Sequence, residues 1–70
     1  MKLYQLVPIL NGDGSTKVRR DYMGDFPDIQ DARKRLEENY YIETTELVPD
    51  EDCVWFTSKF EEIFELRTGG

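Results

Sequence analysis

The chain contains no histidine and only one cysteine, Cys53, among its 70 residues. Without histidine neither a Ser-His-Asp triad nor a Cys-His pair is possible, and one cysteine leaves too few ligands for the usual structural zinc sites. A lone cysteine also cannot form an internal disulfide, whereas small secreted domains usually contain several. The composition therefore predicts an intracellular, cytoplasmic protein with no metal and no catalytic residue.

Sequence motifs for nucleotide and calcium binding are missing as well. The chain has no P-loop, no G-x-G-x-x-G sequence and no complete calcium-binding loop, although Asn11–Ser15 resembles part of one. The longest apolar run, Leu6–Leu10, is too short to span a membrane. We therefore expect no cofactor, no membrane segment and no enzymatic activity.

The N-terminal third has the pattern of a β-hairpin. Lys2–Leu10 is apolar on both faces of a strand, which is typical of a position inside a sheet or against a helix, whereas Pro8 favours an edge or a bulge. Asn11–Ser15 contains two glycines that suit a tight connection. Thr16–Met23 is then the second strand of the hairpin.

The next segment predicts a helix over residues 26–39. Asp25 is placed to cap its N-terminus, with Asp28 three residues later in the position of a capping box. The helix is expected to end at Asn39. Apolar residues recur at helical spacing and draw one stripe along the helix, formed by Ile29, Ala32, Leu36 and Tyr40.

The C-terminal half is rich in residues that favour strands. Tyr41–Val48 and Cys53–Ser58 read as two strands joined by a turn at Pro49–Asp52. Lys59–Arg67 fits either a strand or a short helix, and we favour the strand because a hairpin pairing with Val54–Phe56 would bury more aromatic area. Thr68–Gly70 is expected to be a flexible end.

The predicted order is therefore β-β-α-β-β, with a fifth strand or a short C-terminal helix after it. This order predicts a single α+β domain spanning residues 1–70, in which one helix packs on a face of a small antiparallel sheet. Such a domain is expected to be a monomer or a homodimer, because an exposed edge strand can pair with a copy of itself.

Charge is distributed unevenly along the chain. Residues 1–35 contain seven basic and five acidic residues, whereas residues 36–70 contain two basic and ten acidic residues, and the whole chain has a net charge of −6. Like charges gathered on one surface repel one another and destabilise the folded state. This asymmetry indicates either a surface that binds a basic partner or charge that serves solubility.

The binding interpretation defines a set of candidate partner-binding residues. Trp55 is included as an interface anchor, since tryptophan often dominates binding energy at interfaces, although on a small domain a tryptophan is more often part of the core. Direct binding of nucleic acid is not expected, because the acidic half would repel phosphates. The candidates are Glu43, Glu46, Asp50, Glu51, Asp52, Trp55, Glu61, Glu62 and Glu65.

The last six residues, Glu65-Leu66-Arg67-Thr68-Gly69-Gly70, resemble the tail of a ubiquitin-like modifier. The order of hairpin, helix and strands and the stripe of Ile29, Ala32 and Leu36 are also similar to that family. The resemblance implies a modifier or sulfur carrier that acts through Gly69 and Gly70. The stretch from Tyr41 to Arg67 is shorter than its counterpart in ubiquitin and contains no recognisable hydrophobic recognition patch.

A second resemblance concerns a class of proteins. The short length, the acidity and the β-β-α-β-β order resemble phage-encoded inhibitors of host machinery, including anti-CRISPR proteins and inhibitors of host RNA polymerase. The features that match are the hairpin Met1–Met23, the single helix and the acidic segments Glu43–Asp52 and Glu61–Glu65. This resemblance implies a nucleic-acid mimic that binds a basic groove on a larger, nucleic-acid-handling protein in a bacterial host.

Overall fold

Five strands and one helix make up the computed structural model over residues 1–69, the part of the chain that it describes. A short 3-10 turn, Pro49–Glu51, joins the third and fourth strands. The elements in chain order are β1 (Lys2–Leu10), β2 (Thr16–Asp25), α1 (Ile29–Asn39), β3 (Ile42–Val48), β4 (Cys53–Ser58) and β5 (Ile63–Arg67).

The strands form one sheet in the order β2-β1-β5-β4-β3, and every neighbouring pair is antiparallel. Consecutive strands therefore lie side by side except where α1 carries the chain from β2 at one edge to β3 at the other. β5 fills the middle of the sheet between β1 and β4. This arrangement confirms the predicted α+β class and the antiparallel sheet.

The strand interpretation of the C-terminal segment is also confirmed, although β5 begins only at Ile63. Phe64 lies opposite Phe56, and Leu66 lies opposite Val54. All four side chains are fully buried, so the hairpin of β4 and β5 buries the aromatic area that a C-terminal helix would leave more exposed.

The hydrophobic core lies between α1 and one face of the sheet. Ala32 and Leu36 of α1 are fully buried, and Ile29 packs against the core from the first turn of the helix. Tyr40, just after the helix, packs against Phe64 with ring centroids 4.7 Å apart and ring planes tilted by 55°. The predicted apolar stripe is thus the face of the helix that contacts the sheet. Within residues 1–69 no helix packs on the other face of the sheet.

The helix starts later than the sequence predicts, and Asp28, not Asp25, is its N-cap. Asp25 is the last residue of β2 and pairs with Lys2. The pairing continues one residue further, since the Phe26 N–H donates to the Met1 carbonyl oxygen at 2.8 Å. These backbone bonds keep the chain extended through Phe26, so the helix can begin only after Pro27.

The two candidate caps make different contributions to stability. An Asp28 carboxylate oxygen accepts a hydrogen bond from the Asp31 N–H at 2.8 Å. We expect Asp28→Ala to lower the free energy of unfolding by about 1 kcal/mol. Asp25→Ala removes only an exposed hydrogen bond from the Tyr22 hydroxyl and should cost less. Urea denaturation of both variants checks this, and a larger loss for Asp25→Ala would contradict the assignment of the cap.

The hairpin of β1 and β2 projects beyond the rest of the sheet. β5 pairs with β1 only over Lys2–Leu6, so the last four residues of β1 pair with β2 alone. Pro8 therefore lies in a segment where β1 has a strand on one side only, which suits a residue without an N–H. A bulge in β2 next to Gly24, whose φ is 129°, bends the base of this hairpin.

Candidate functional site

Five of the predicted carboxylates lie together on β3 and on the turn after it, and we call this set the acidic edge. It consists of Glu43, Glu46, Asp50, Glu51 and Asp52, all of which are exposed. β3 is an outer strand of the sheet, so one of its sides is open. Within residues 1–69 none of these five carboxylates forms an ion pair or accepts a side-chain hydrogen bond.

Acidic residues on the helix and on β2 are in a different situation. Asp21 receives two hydrogen bonds from the Arg19 guanidinium, at 2.7 and 2.9 Å, and these bonds lower the pKa of Asp21. Glu37 binds Arg33 at 2.8 Å along the helix. An acidic side chain that is paired with an arginine contributes little to the electrostatic field around the protein. The carboxylates of the acidic edge have no such partner within residues 1–69, so their field extends into the solvent.

The turn between β3 and β4 is shaped by local sequence. Pro49 begins the 3-10 turn, since its fixed φ suits a first helical position. Asp52 closes the turn in the left-handed region, with φ 50° and ψ 48°, which aspartate tolerates better than most residues. The Asp52 carbonyl oxygen accepts hydrogen bonds from the N–H groups of Thr68 and Gly69. These hydrogen bonds from the residues that follow β5 hold the turn of the acidic edge in place.

Glu61 and Glu62 lie elsewhere, in the connection between β4 and β5. This connection is at the opposite end of β4 from Asp50, Glu51 and Asp52, about 20 Å away for a strand of six residues. Glu62 is half-buried and accepts a hydrogen bond from the Ser58 hydroxyl at 3.0 Å. Both residues are thus separated from the turn of the acidic edge, although Glu43 lies at their end of β3, and Glu62 has a structural partner.

Glu65 is the most deeply placed of the predicted carboxylates. It points to the face of the sheet without the helix, yet only 3% of its side chain is exposed. Arg20 donates to it from Nε at 3.2 Å, and Arg67 Nη1 lies 3.6 Å from the same oxygen. Glu65 is therefore an internal counter-ion that is not available to a partner in this structure.

Trp55 is half-buried on the same face of the sheet as Glu65, and its Nε1 has no hydrogen-bond acceptor within residues 1–69. Phe56 points to the opposite face and into the core, as the alternation of the strand requires. The neighbouring Cys53 thiol is buried, and desolvation raises its pKa, with the Glu65 and Glu51 carboxylates acting in the same direction.

The face of the sheet opposite the helix is a feature that the sequence analysis did not identify; we call it the open face. Strand register places on it aromatic and aliphatic residues from three strands, including Tyr4 and Leu6 of β1, Val18 and Tyr22 of β2 and Ile63 of β5. The signal in the sequence was the apolar character of both faces of Lys2–Leu10, because only one of those faces meets the helix.

Of the two predicted conjugation residues, Gly69 lies in the described part of the chain and Gly70 does not. Gly69 lies against Asp52, so closely that a Cβ added there would come within 2.6 Å of the Asp52 Cβ. Gly70 lies outside the described residues. The segment expected to be flexible is thus hydrogen-bonded to the β3–β4 turn at Thr68 and Gly69.

Comparison with protein-family models, with curated proteins and with solved structures gives no match to this chain. No helix within residues 1–69 is long and apolar enough to cross a membrane. In the same part of the chain, no three histidine, cysteine or acidic side chains are arranged to hold a metal ion. The candidate site therefore has to be interpreted from its own geometry and charge.

Proposed function

We propose that this chain is a non-enzymatic protein-binding module that docks its acidic edge on a basic groove of a larger, nucleic-acid-handling protein. In this role it acts as an inhibitor that takes the place of nucleic acid, as anti-CRISPR proteins do. Its setting is the cytoplasm, that of a bacterial host if a phage encodes it. The observation that carries the proposal is the acidic edge, whose five exposed carboxylates have no partner within residues 1–69.

The position of these carboxylates supports binding to a groove. They follow one outer strand and continue around the turn at its end, so they form a narrow ridge on the rim of the molecule. A ridge of negative charge is complementary to a groove that is lined with Lys and Arg to hold phosphates. Long-range attraction between the two raises the association rate and weakens as salt is added.

The proposal is tested by neutralising the turn of the acidic edge. The variant Asp50→Asn, Glu51→Gln, Asp52→Asn keeps the size of each side chain, and asparagine tolerates the left-handed conformation at position 52. We expect about tenfold weaker binding to the partner and a shallower dependence on salt. The partner is first captured from bacterial lysate, identified by mass spectrometry and purified, and affinities are then measured at low and high salt.

A matched control neutralises three carboxylates on the helix. The variant Asp31→Asn, Glu37→Gln, Glu38→Gln changes the net charge by the same amount but leaves the acidic edge intact, and it should bind as the parent protein does. Duplex DNA should compete with the parent protein for the partner. Equal affinity for the parent protein and the turn variant, or an equal loss in both variants, would show that the acidic edge is not the docking surface.

The alternative of a ubiquitin-like modifier has no support from the described contacts, because Thr68 and Gly69 bond to the β3–β4 turn. The same capture experiment nevertheless distinguishes it. A covalent adduct that disappears when Gly69 and Gly70 are removed would favour the modifier and assign the acidic edge to solubility.

A further inference from the structure

An apolar recess lies beside the turn of the acidic edge, on the helix side of the sheet, and we call it the apolar groove. Its volume is about 340 Å³, and it is lined mainly by Ile29 at the start of α1, Leu47 of β3, Val54 of β4 and Pro49 of the turn. This volume is near the lower end of the range of ligand pockets, about 300–1,000 Å³. The groove therefore suits a large side chain of a peptide better than a cofactor.

The apolar groove forms because the core reaches β4 but leaves the outer strand β3 uncovered at this end. Leu47 lies opposite Val54, on the same face of the sheet. Val54 is fully buried with Ala32 and Leu36 of α1, whereas Leu47 is 68% exposed. A single exposed leucine is common on protein surfaces. Here, however, Leu47 shares a recess with the buried Val54, so an apolar side chain that enters the recess continues the core outward.

The walls of the apolar groove are held in place by local contacts. Pro49 has a fixed φ at the start of the turn. Thr68, which also lines the groove, donates its N–H to the Asp52 carbonyl oxygen at 2.8 Å. Ile29 lies in the first turn of α1, which the Asp28 carboxylate caps. Because these walls are fixed before a ligand arrives, little free energy is lost in ordering them when it binds.

The charge next to the apolar groove is negative. Asp52 lines the groove, and Asp50 and Glu51 lie in the same turn. None of these three carboxylates forms an ion pair within residues 1–69. In that part of the chain no lysine or arginine lines the groove, and the Met1 amino group beside it donates to the Phe26 carbonyl oxygen at 2.9 Å. An apolar side chain that enters the groove is therefore best matched to its surroundings when basic residues flank it.

We propose that the apolar groove binds a large apolar side chain of the partner, in a short segment where lysines or arginines flank that side chain. The inference rests on the proposed function, since the basic residues contact the turn of the acidic edge while the apolar side chain enters the groove beside it. The charges then raise the association rate, whereas burial of the apolar side chain slows dissociation. The groove thus selects one basic surface among the many that an acidic edge alone would attract.

The proposal is tested on the isolated chain with three short peptides. The probe is Lys-Lys-Leu-Lys-Lys with blocked ends, and the matched controls are Lys-Lys-Ser-Lys-Lys and Glu-Glu-Leu-Glu-Glu. Binding is measured from shifts of the backbone amide resonances in NMR titrations. We expect the leucine probe to bind about tenfold more tightly than the serine peptide and to shift the amides of Leu47 and Val54. Equal affinity for the serine peptide or for the glutamate peptide would overturn the proposal.

A matched pair of leucine substitutions locates the contact. Leu47→Ala removes one wall of the apolar groove, whereas Leu10→Ala makes the same change at the far end of β1; the two residues are 68% and 74% exposed. We expect Leu47→Ala to bind the leucine probe as weakly as the parent protein binds the serine peptide, and Leu10→Ala to bind it normally. An equal loss in both variants would overturn the proposal. If Leu47→Ala failed to fold, the comparison of the peptides on the parent protein would still decide it.

Measurements with the purified partner separate this inference from the proposed function. Leu47→Ala should weaken partner binding by about tenfold at both low and high salt, because salt does not screen an apolar contact. The loss in the turn variant Asp50→Asn, Glu51→Gln, Asp52→Asn should instead shrink at high salt. Weak binding by the turn variant with normal binding by Leu47→Ala would overturn the groove and keep the acidic edge. Normal binding by the turn variant would overturn the proposed function, whereas the peptide comparison decides the groove without any partner.

Discussion

Replacing Phe64 with alanine is expected to leave the protein largely unfolded. Phe64 is fully buried in β5, the middle strand, where it lies opposite Phe56 and packs against the tilted ring of Tyr40. Truncating a buried phenylalanine costs about 3–5 kcal/mol, because the apolar surface is lost and a cavity is left behind. A domain of this size has about 3–5 kcal/mol of stability in total, so the substitution removes most of it.

The control for this experiment is Phe60→Ala. Phe60 lies in the connection between β4 and β5 and is 65% exposed. Its ring contacts that of Tyr41 edge to face, with ring centroids 5.9 Å apart. The same truncation should therefore change the free energy of unfolding by about 1 kcal/mol or less. Urea denaturation followed by Trp55 fluorescence measures both variants. A folded Phe64→Ala with nearly normal stability would contradict the placement of β5 at the centre of the core.

The second large effect is expected at Arg20, which holds the buried Glu65 carboxylate. Arg20→Met keeps the length of the aliphatic part of the side chain but removes the hydrogen bond from Nε at 3.2 Å. A hydrogen bond to a charged group contributes about 1.5–3 kcal/mol, and losing it leaves the carboxylate with Arg67 alone at 3.6 Å. We therefore expect a loss of about 2–3 kcal/mol in the free energy of unfolding.

The neighbouring arginine provides the matched control. Arg19→Met removes the exposed pair with Asp21, in which both side chains are well solvated, and pairs of this kind contribute about 0–1 kcal/mol. Chemical denaturation of the two variants should therefore give a much smaller shift for Arg19→Met. Similar losses from both substitutions would show that the burial of Glu65 does not strengthen its bond with Arg20.

Several elements of the fold could be read from the sequence because their signals are local. The helix stripe from Ile29 to Leu36 and the alternation of Trp55 and Phe56 both appear in the structure as expected. The start of the helix was wrong because Asp25 and Phe26 are held extended by pairing with residues at the N-terminus. A capping signal is local, whereas the strand pairing that competes with it involves residues that are more than twenty positions apart.

The candidate site could also be predicted only in part. The acidic edge could be found from composition, since its members lie close together in the sequence and face solvent on an outer strand. Glu65 belongs to the same acidic half, but its strand was inserted in the middle of the sheet beside Arg20. The sequence analysis therefore placed Glu65 among the binding residues, although its partner is internal.

The sequence by itself determined the first four strands and the presence of the helix, the face of the helix that meets the core and the excess of negative charge in the C-terminal half, whereas it left the last element between a strand and a helix. These follow from residue spacing and residue type, which neighbouring positions are enough to define. Only the tertiary structure decided that β5 lies between β1 and β4, that Glu65 is paired with Arg20 and that one face of the sheet is open. These depend on which distant strands pair, and strand pairing is settled by the burial that the whole sheet achieves together.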